Sequence, residues 1–397
     1  MSIRYLNCLI YLVFISTLFF SCGNESKSKS LVLASSDSGK LYNDSINISK
    51  KINAASKKTQ LDNLFSQKAK SNTFNGCVLI AQQGQIIYKK AFGYADYKNK
   101  IPLTTNTGFQ LASTSKTLTA AAIMLLKQEG KLNYNDDVKK YFPDFPYEGV
   151  TIQLLLTHRS GLPNYMYFCD GLVTDKSCLL SNKAVLDLIT KDAPPLYSKP
   201  NKKFSYCNTN YCILASIIEK ISGINYADFM HDSIFIPLKM MNTWVNTPEN
   251  AREYQNKTLA YYGNWHIEEG DYLDGIYGDK GIYSTVEDLF KWDQALYNYS
   301  LLTKETLDEA FIGYSHEKKG MRNYGFGFRI IDYPDGSKVV YHNGWWHCYN
   351  TTFYRRLKDK STIIILSNKY NKNVYQVNDI LSILSPSNFY EPVEPEE

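Results

Sequence analysis

The order of apolar and polar positions divides this chain into a β-rich start, a long helical middle and a β-rich end. A helix near Leu61–Lys70 precedes two strand-like runs, Cys77–Ala81 and Gln85–Phe92, and Gln83-Gly84 between them predicts a hairpin turn. From Thr117 to Leu126 the residues are helix formers, apolar on nearly every face, with Gly130 as the stop; this helix is expected to be buried. Helical patterns and loops then dominate to about residue 275. One of these helices opens at Asn208 and carries Tyr211, Leu214, Ile217, Ile218 and Ile221 at helical spacing before Gly223. Ser284-Thr285-Val286-Glu287 reads as a capping box starting a helix that runs to about Tyr297. β character returns in Phe326–Ile331, Lys338–His342, Thr351–Arg356 and Ser361–Leu366, with a turn at Pro334-Asp335-Gly336, and a last helix spans Val374–Leu384.

Strands at both ends with helices between them imply an α+β fold. One antiparallel sheet is completed by the two ends of the chain and flanked by helices, with an inserted, mostly helical subdomain at roughly 131–275. A cleft between the two parts is the expected place for a site. At 397 residues and 44% hydrophobic content the chain can bury a large core. Its formal charge of +5 is small for this length and the charges are interspersed, which leaves no basic stripe for nucleic acid.

Arg4, the apolar run Leu9–Phe20 and Ser21-Cys22-Gly23 have the order of a secretory signal ending at a cysteine. The run is short for a membrane span. Residues 1–22 resemble a bacterial lipoprotein signal with Cys22 as the lipidated residue, although Phe19 and Phe20 stand where that pattern has leucine and a small residue. An ordinary cleaved signal and an uncleaved anchor are the alternatives. Residues 23–55, rich in Ser, Lys and Asn, read as a flexible tether, 56–388 as the globular domain and 389–397 as an acidic tail. Export would permit disulfides among Cys77, Cys169, Cys178, Cys207, Cys212 and Cys348, and Cys169 to Cys178, closing a short loop, is the one pairing expected. No cysteine has metal-ligand spacing. His342 and His347, five apart on an expected strand, would point to opposite faces, so neither a metal nor an organic cofactor is expected.

Ser113 and Lys116 lie one helical turn apart at the mouth of the apolar helix. A serine hydroxyl is a weak nucleophile at neutral pH, and an amine three residues later on the same helical face can take its proton. Burial at the helix start is expected to lower the Lys116 pKa and enrich the neutral amine. The helix N-terminus favours negative charge developing at Ser113. The same spacing recurs at Ser26/Lys29 in the tether and at Ser315/Lys318 in a polar stretch, where a solvated reading wins. For Ser113 the competing reading is a helix-capping serine beside a snorkelling lysine.

Three further segments change the picture: Leu154-Leu155-Leu156-Thr157-His158-Arg159-Ser160-Gly161-Leu162-Pro163, then Tyr206-Cys207-Asn208 before a helix, then His342-Asn343-Gly344 on or beside a strand. In this order with Ser113 and Lys116 they resemble the serine β-lactamase and penicillin-binding-protein superfamily over roughly residues 60–385, in the branch holding class C β-lactamases, DD-peptidases and esterases. The resemblance implies Ser113 as nucleophile, Lys116 as its proton acceptor and Tyr206 as a second acid/base group. It implies that Asn208 hydrogen-bonds the acyl-side amide and that His342, standing where most β-lactamases have lysine, polarises Tyr206 or orients substrate. The backbone N–H groups of Ser113 and Trp345 would form the oxyanion hole, Asn343 and Gly344 would bind substrate, and Gly344 would let the backbone approach it. His158 is expected to be structural and Cys207 to be packing.

Departures from the family pattern bear on substrate. With His342 and Asn343 in place of the usual Lys and Thr or Ser, the fixed charge and hydroxyl that hold a β-lactam or D-alanine carboxylate are weakened or missing, since histidine is charged only when protonated. Trp345 and Trp346, with Tyr165, Tyr167 and Phe168, are expected to make an aromatic wall suited to a compact apolar acyl group. The expected function is that of an exported serine hydrolase cleaving an ester or amide through a Ser113 acyl-enzyme. Its expected partners are a small-molecule ester, amide or peptide and a membrane reached through the lipid anchor. A DD-carboxypeptidase or β-lactamase, and a non-catalytic binder of cell-wall fragments, are the alternatives.

Overall fold

The computed structural model describes residues 53–247, 256–315, 317 and 320–385. The signal segment with Cys22, the Ser26/Lys29 pair, the tether up to residue 52, Lys318 and the acidic tail lie outside the described residues.

Seven antiparallel strands form the main sheet: β1 (Gly76–Gln82), β2 (Gln85–Phe92), β3 (Arg322–Tyr324), β4 (Arg329–Asp332), β5 (Lys338–Trp346), β6 (Tyr349–Arg356) and β7 (Ser361–Ser367). Their spatial order is β3-β4-β5-β6-β7-β1-β2, so the two ends of the chain complete one sheet through the β1–β7 register Gly76↔Ser367 to Gln82↔Ser361. Gln83 (φ 53°) and Gly84 (φ 74°) make the tight turn of the first hairpin, whose two left-handed positions match the twist of the paired strands.

Helices cover both faces because alternate residues of each central strand are apolar. Val78, Ile80, Val339, Ile363 and Ile365 pack with helix α1 (residues 53–70) and the C-terminal segment through Val374, Ile380 and Leu384. Leu79, Val340, Phe353 and Ile364 pack the other way, in one core with helix α2 (Ser115–Gln128). Between β2 and β3 follow α3 (Ile152–Leu156), α4 (Tyr165–Leu172), α5 (Asn182–Asp192), α6 (Asn208–Ser222), α7 (Tyr226–Met230), α8 (Val286–Asn298) and α9 (Lys304–Ala310). The sheet is also clamped to α8 by a buried ion pair, Arg355 Nε to Asp293 Oδ1 at 2.6 Å, with Thr362 donating to Asp293 Oδ2 at 2.8 Å. Among the described residues no helix is long and apolar enough to cross a membrane.

Several boundaries differ from the sequence expectation. α1 is already helical at residue 53, so the helix takes in residues expected to be tether. The cap of α8 is Thr285, whose side chain accepts from the Asp288 N–H, one residue later than the expected capping box. Gly327, at φ 77°, turns the chain ahead of Arg329, so Phe326 and Phe328 precede the strand and sit in the core instead. The last helix is split into a 3-10 turn at Lys372–Tyr375 and α10 at Asn378–Leu384. The expected Cys169 to Cys178 disulfide is absent: Cys169 is buried within α4, Cys178 is exposed in the loop that follows, and both are free thiols.

Candidate active site

The segment ahead of α2 is held by main-chain contacts from two directions. The Leu111 N–H donates to the Ile282 carbonyl at 2.8 Å, and the Leu111 carbonyl accepts from Thr351 Oγ1 at 2.8 Å. Thr114 Oγ1 lies 2.9 Å from Thr351 Oγ1 and 3.3 Å from the His342 carbonyl. Ala112, directly before Ser113, sits at φ 50°, a left-handed position that costs a non-glycine residue about 1 kcal/mol and is kept only because these contacts over-determine it. Ser113 then lies in a 3-10 turn, Ala112–Thr114, that runs into α2 with no side-chain cap. The capping reading of Ser113 therefore has no hydrogen bond to support it.

Lys116, one turn into the buried helix, is 0% exposed, and its Nζ donates to Ser113 Oγ at 3.0 Å and to the Asp279 carbonyl at 2.8 Å. It also lies 5.0 Å from the centre of the Tyr206 ring. The structure thus brings Tyr206 from the segment before α6 against Ser113 and Lys116 at the start of α2.

Tyr206 stands just before α6, against the His158 ring at a centroid separation of 4.3 Å. Its hydroxyl makes no hydrogen bond, and the same holds for Asn208 Oδ1 and Asn343 Oδ1, although all three atoms are shielded from solvent. The Asn208 amide nitrogen rests 2.9 Å from Met166 Sδ. Buried polar atoms without partners are few in folded proteins, and a group that arrives with complementary donors and acceptors would satisfy these.

His342 makes no hydrogen bond to the Tyr206 hydroxyl. It is fully buried; its Nε2 is 3.1 Å from the Tyr324 hydroxyl and its Nδ1 is 2.7 Å from the Asn343 carbonyl. Both ring nitrogens are engaged by partners other than Tyr206, whose ring centre lies 6.2 Å from that of His342. The Tyr324 hydroxyl is also 3.2 Å from His158 Nε2, while His158 Nδ1 receives the Cys207 N–H at 3.2 Å and the Asn210 amide at 3.1 Å. Two donors at His158 Nδ1 leave its proton on Nε2, so the chain runs one way: His158 donates to Tyr324, Tyr324 to His342, and His342 to the Asn343 carbonyl. Burial holds the His342 pKa well below the ordinary imidazole range, helped by the charges of Arg329 and Lys116, and does the same for His158, helped first by Lys116. Both rings are neutral, as this donor order requires.

Gly344 makes a close approach within the protein itself. A Cβ there would stand 2.2 Å from the Leu111 carbonyl oxygen and 2.3 Å from Thr351 Oγ1, so the missing side chain lets β5 press against the turn that carries Ser113. The expected aromatic wall separates into parts. Trp345 is 60% exposed, but Trp346 turns inward and donates from Nε1 to Asp274 Oδ1 at 2.6 Å. Tyr165 is fully buried while Tyr167 is exposed. His347 leaves the strand: with φ 42°, and Cys348 at φ 65°, it forms the β5–β6 turn. Its imidazole lies between Glu268 (3.3 Å), Asp274 (3.3 Å) and Asp271 (3.7 Å). Burial alone would lower its pKa, but the carboxylates of Asp271 and Asp274 outweigh that and raise it to about 9. Ligand atoms of Asp271, Asp274 and His347 lie within 4.8 Å of one another, a spacing a metal ion could use, and the imidazolium already supplies the cation of the cluster.

Sequence reasoning missed Tyr324 and the adjoining pair Asp279-Lys280. The available signal was a charged dipeptide inside the apolar and glycine-rich run Ile276-Tyr277-Gly278-Asp279-Lys280-Gly281-Ile282.

With this geometry in hand, the similarities to known proteins carry weight. Residues 61–385 match the protein family described as Beta-lactamase. Penicillin-binding protein 4* of Bacillus subtilis (strain 168) is 38% identical over 338 residues, which cover 81% of this chain and 74% of that one. The teichoic acid D-alanine hydrolase of Staphylococcus aureus is 28% identical over 324 residues, covering 80% of this chain and 77% of that one. Among solved structures, the octameric penicillin-binding protein homologue from Pyrococcus abyssi superposes with a TM-score of 0.73 at 27% identity, covering 84% of this chain and 78% of that one. The chain belongs to the β-lactamase family, as a serine hydrolase of the β-lactamase and penicillin-binding-protein superfamily.

Proposed function

We propose that the protein is an exported serine hydrolase that cleaves an ester or amide through an acyl-enzyme on Ser113. The observation that carries this reading is the 3.0 Å contact between Ser113 Oγ and the fully buried Lys116 Nζ. In the neutral form of Lys116, Nζ takes the Ser113 proton as Oγ attacks the carbonyl carbon. The N–H groups of Ser113 and Trp345 receive the oxyanion, each such donor being worth about 3 kcal/mol. Tyr206 passes a proton to the leaving oxygen or nitrogen as its bond to the acyl carbon breaks, and then draws a proton from the water that releases the acid and restores Ser113. Asn208 and Asn343, with their unpartnered oxygens, take up the donors of the substrate, beside the backbone at Gly344.

A neutral His342 offers no fixed cation to a carboxylate, which favours acyl groups and leaving groups without one over β-lactams and D-alanyl-D-alanine peptides. The name of the staphylococcal relative makes a D-alanyl ester a natural first substrate to try. The N-terminal segment ending at Cys22 supports export and a lipid anchor in the cell envelope. The test is covalent labelling. A fluorophosphonate should add one adduct to the unmodified protein by intact mass and none to Ser113→Ala, and p-nitrophenyl esters or D-amino-acid amides should turn over faster than nitrocefin. An unmodified protein that takes no adduct would sink the acyl-enzyme reading.

A further inference from the structure

The turn between β5 and β6 is made of residues that a tight turn does not favour. His347 (φ 42°) and Cys348 (φ 65°) both stand in the left-handed region, where hairpin turns ordinarily place asparagine, aspartate or glycine. For other residues each such position costs roughly 1–2 kcal/mol, so the surroundings must hold them there. At His347 the side chain does so. Its imidazole is gripped by Glu268, Asp271 and Asp274, and its ring packs on that of Trp346 at a centroid separation of 4.3 Å.

Two of these carboxylates are fixed by their own backbone. Asp271 and Asp274 form the reciprocal capping box of a 3-10 turn, Tyr272–Gly275: Asp271 Oδ1 accepts from the Leu273 N–H at 2.8 Å, and Asp274 Oδ2 from the Asp271 N–H at 3.0 Å. The turn is anchored in its turn to α4 and the loop after it, since the Tyr272 hydroxyl donates to Asp170 Oδ1 at 2.9 Å and the Leu180 N–H to the Tyr272 carbonyl at 2.7 Å. Trp346 Nε1 donates to Asp274 Oδ1, the same oxygen that faces His347 Nε2. Two successive side chains at the end of β5 thus meet one rigid acidic turn. The register of β4 with β5 stops at Tyr341, so from His342 to Trp346 the ladder of β5 is with β6. That stretch holds Gly344, pressed on the turn that carries Ser113, and the Trp345 N–H assigned above to the oxyanion.

We propose that His347 is a positioning residue: with Trp346 it straps the end of β5 to the acidic 3-10 turn and so fixes the Trp345 N–H that receives the oxyanion. Carboxylates gathered at one point repel one another unless a cation sits among them, and the His347 imidazolium fills that place. The left-handed backbone at His347 is the strain accepted to bring the ring there. An oxyanion donor acts only if it is already aimed when charge develops, so an anchor one or two residues away from it bears on rate.

This inference rests on the Ser113 acyl-enzyme reading, and one experiment separates their failures. Fluorophosphonate labelling of Ser113 is followed by intact mass near neutral pH over a range of probe concentrations, giving a maximal rate and a half-saturating concentration. The proteins compared are the unmodified chain, His347→Asn, His347→Arg and Trp346→Phe, each first checked for folding by its melting transition. Asparagine takes left-handed positions readily, so His347→Asn should keep the turn and lose only the strap. Its maximal rate should fall on the order of 10-fold, short of the 10²–10³-fold lost with an oxyanion donor outright. The half-saturating concentration should hold, because the oxyanion forms only in the transition state. His347→Arg returns a cation to the carboxylates and should recover most of the rate, which a merely structural role would not predict. Trp346→Phe, which loses the Nε1 hydrogen bond, should lower the maximal rate by less. Should His347→Asn not fold, Trp346→Phe decides alone. An unchanged maximal rate in the folded variants, or a loss that arginine does not reduce, overturns the role of His347 and leaves the acyl-enzyme intact, whereas an unmodified protein that is never labelled overturns both.

Discussion

Gly344 and Leu111 are pressed together so closely that a methyl group on Gly344 would stand 2.2 Å from the Leu111 carbonyl oxygen. This contact sets the distance between β5 and the turn that presents Ser113, and the nearest obstructing atom is backbone, which cannot swing aside. Gly344→Ala should destabilise the protein by about 1–3 kcal/mol, the range for forced overpacking. It should also slow Ser113 labelling, because the turn must move to relieve the clash. Urea unfolding and labelling rates check this, and unchanged values for both would show that the strand and turn are less tightly coupled than the geometry says.

Lys116 and Ser113 should respond differently to truncation. Lys116→Met is expected to slow labelling on the order of 10²–10⁴-fold, the usual contribution of a positioned base. Its melting temperature should hold or rise, since an amine buried without a carboxylate of its own is removed. Ser113→Ala should abolish labelling and cost no more than about 1 kcal/mol, because no capping hydrogen bond is lost and only the one from Lys116 is. A stability loss in Ser113→Ala that persists in the Lys116→Met background would instead revive the capping reading.

The directed chain from His158 through Tyr324 to His342 predicts a penalty for an isosteric change. Tyr324→Phe leaves one ring nitrogen of each buried histidine without its partner, at about 1–3 kcal/mol for each group so stranded. Denaturant unfolding should therefore show a clear loss, although no volume has changed. A Tyr324→Phe protein as stable as the original would mean that the chain is not made in solution.

Stability should depend on pH at both ends of the neutral range. Burial holds the His158 and His342 pKa values below those of the unfolded chain, so stability is intact above about pH 6.5. It declines as pH falls below that value, by up to about 1.4 kcal/mol per pH unit for each ring. The NMR signals of these two imidazoles should stay unprotonated at pH 5.5, and a titration near pH 6.5 would refute their neutral burial. His347 behaves in the opposite sense. Its pKa is raised to about 9, so its contribution is complete below the unfolded value and is lost as pH rises through about 9. His347→Ala should accordingly flatten the stability profile between pH 7 and 10.

The sequence by itself determined how the sheet is closed and which residues are candidates for the chemistry. Ser113 with Lys116 was legible from its place at the mouth of an apolar helix, Tyr206 and Asn208 from their resemblance to a family motif, and apolar runs marked most strands of the sheet but not its edge strand β3. What surrounds those residues was decided only by tertiary structure. His342 was readable as a motif residue but not as a neutral ring engaged by Tyr324, because that bond joins two strands and depends on the donor order imposed at His158 from a third segment. Gly344 was readable as a close approach, but its partner, Leu111, lies 233 residues away in sequence. The Asp279-Lys280 pair stood out in the sequence only as a charged dipeptide in an apolar run, and its partners, Tyr165 and the Ile276 carbonyl, meet it only on folding. Local periodicity reports what a segment can become; the charge and hydrogen-bond state of a buried group belongs to everything packed against it.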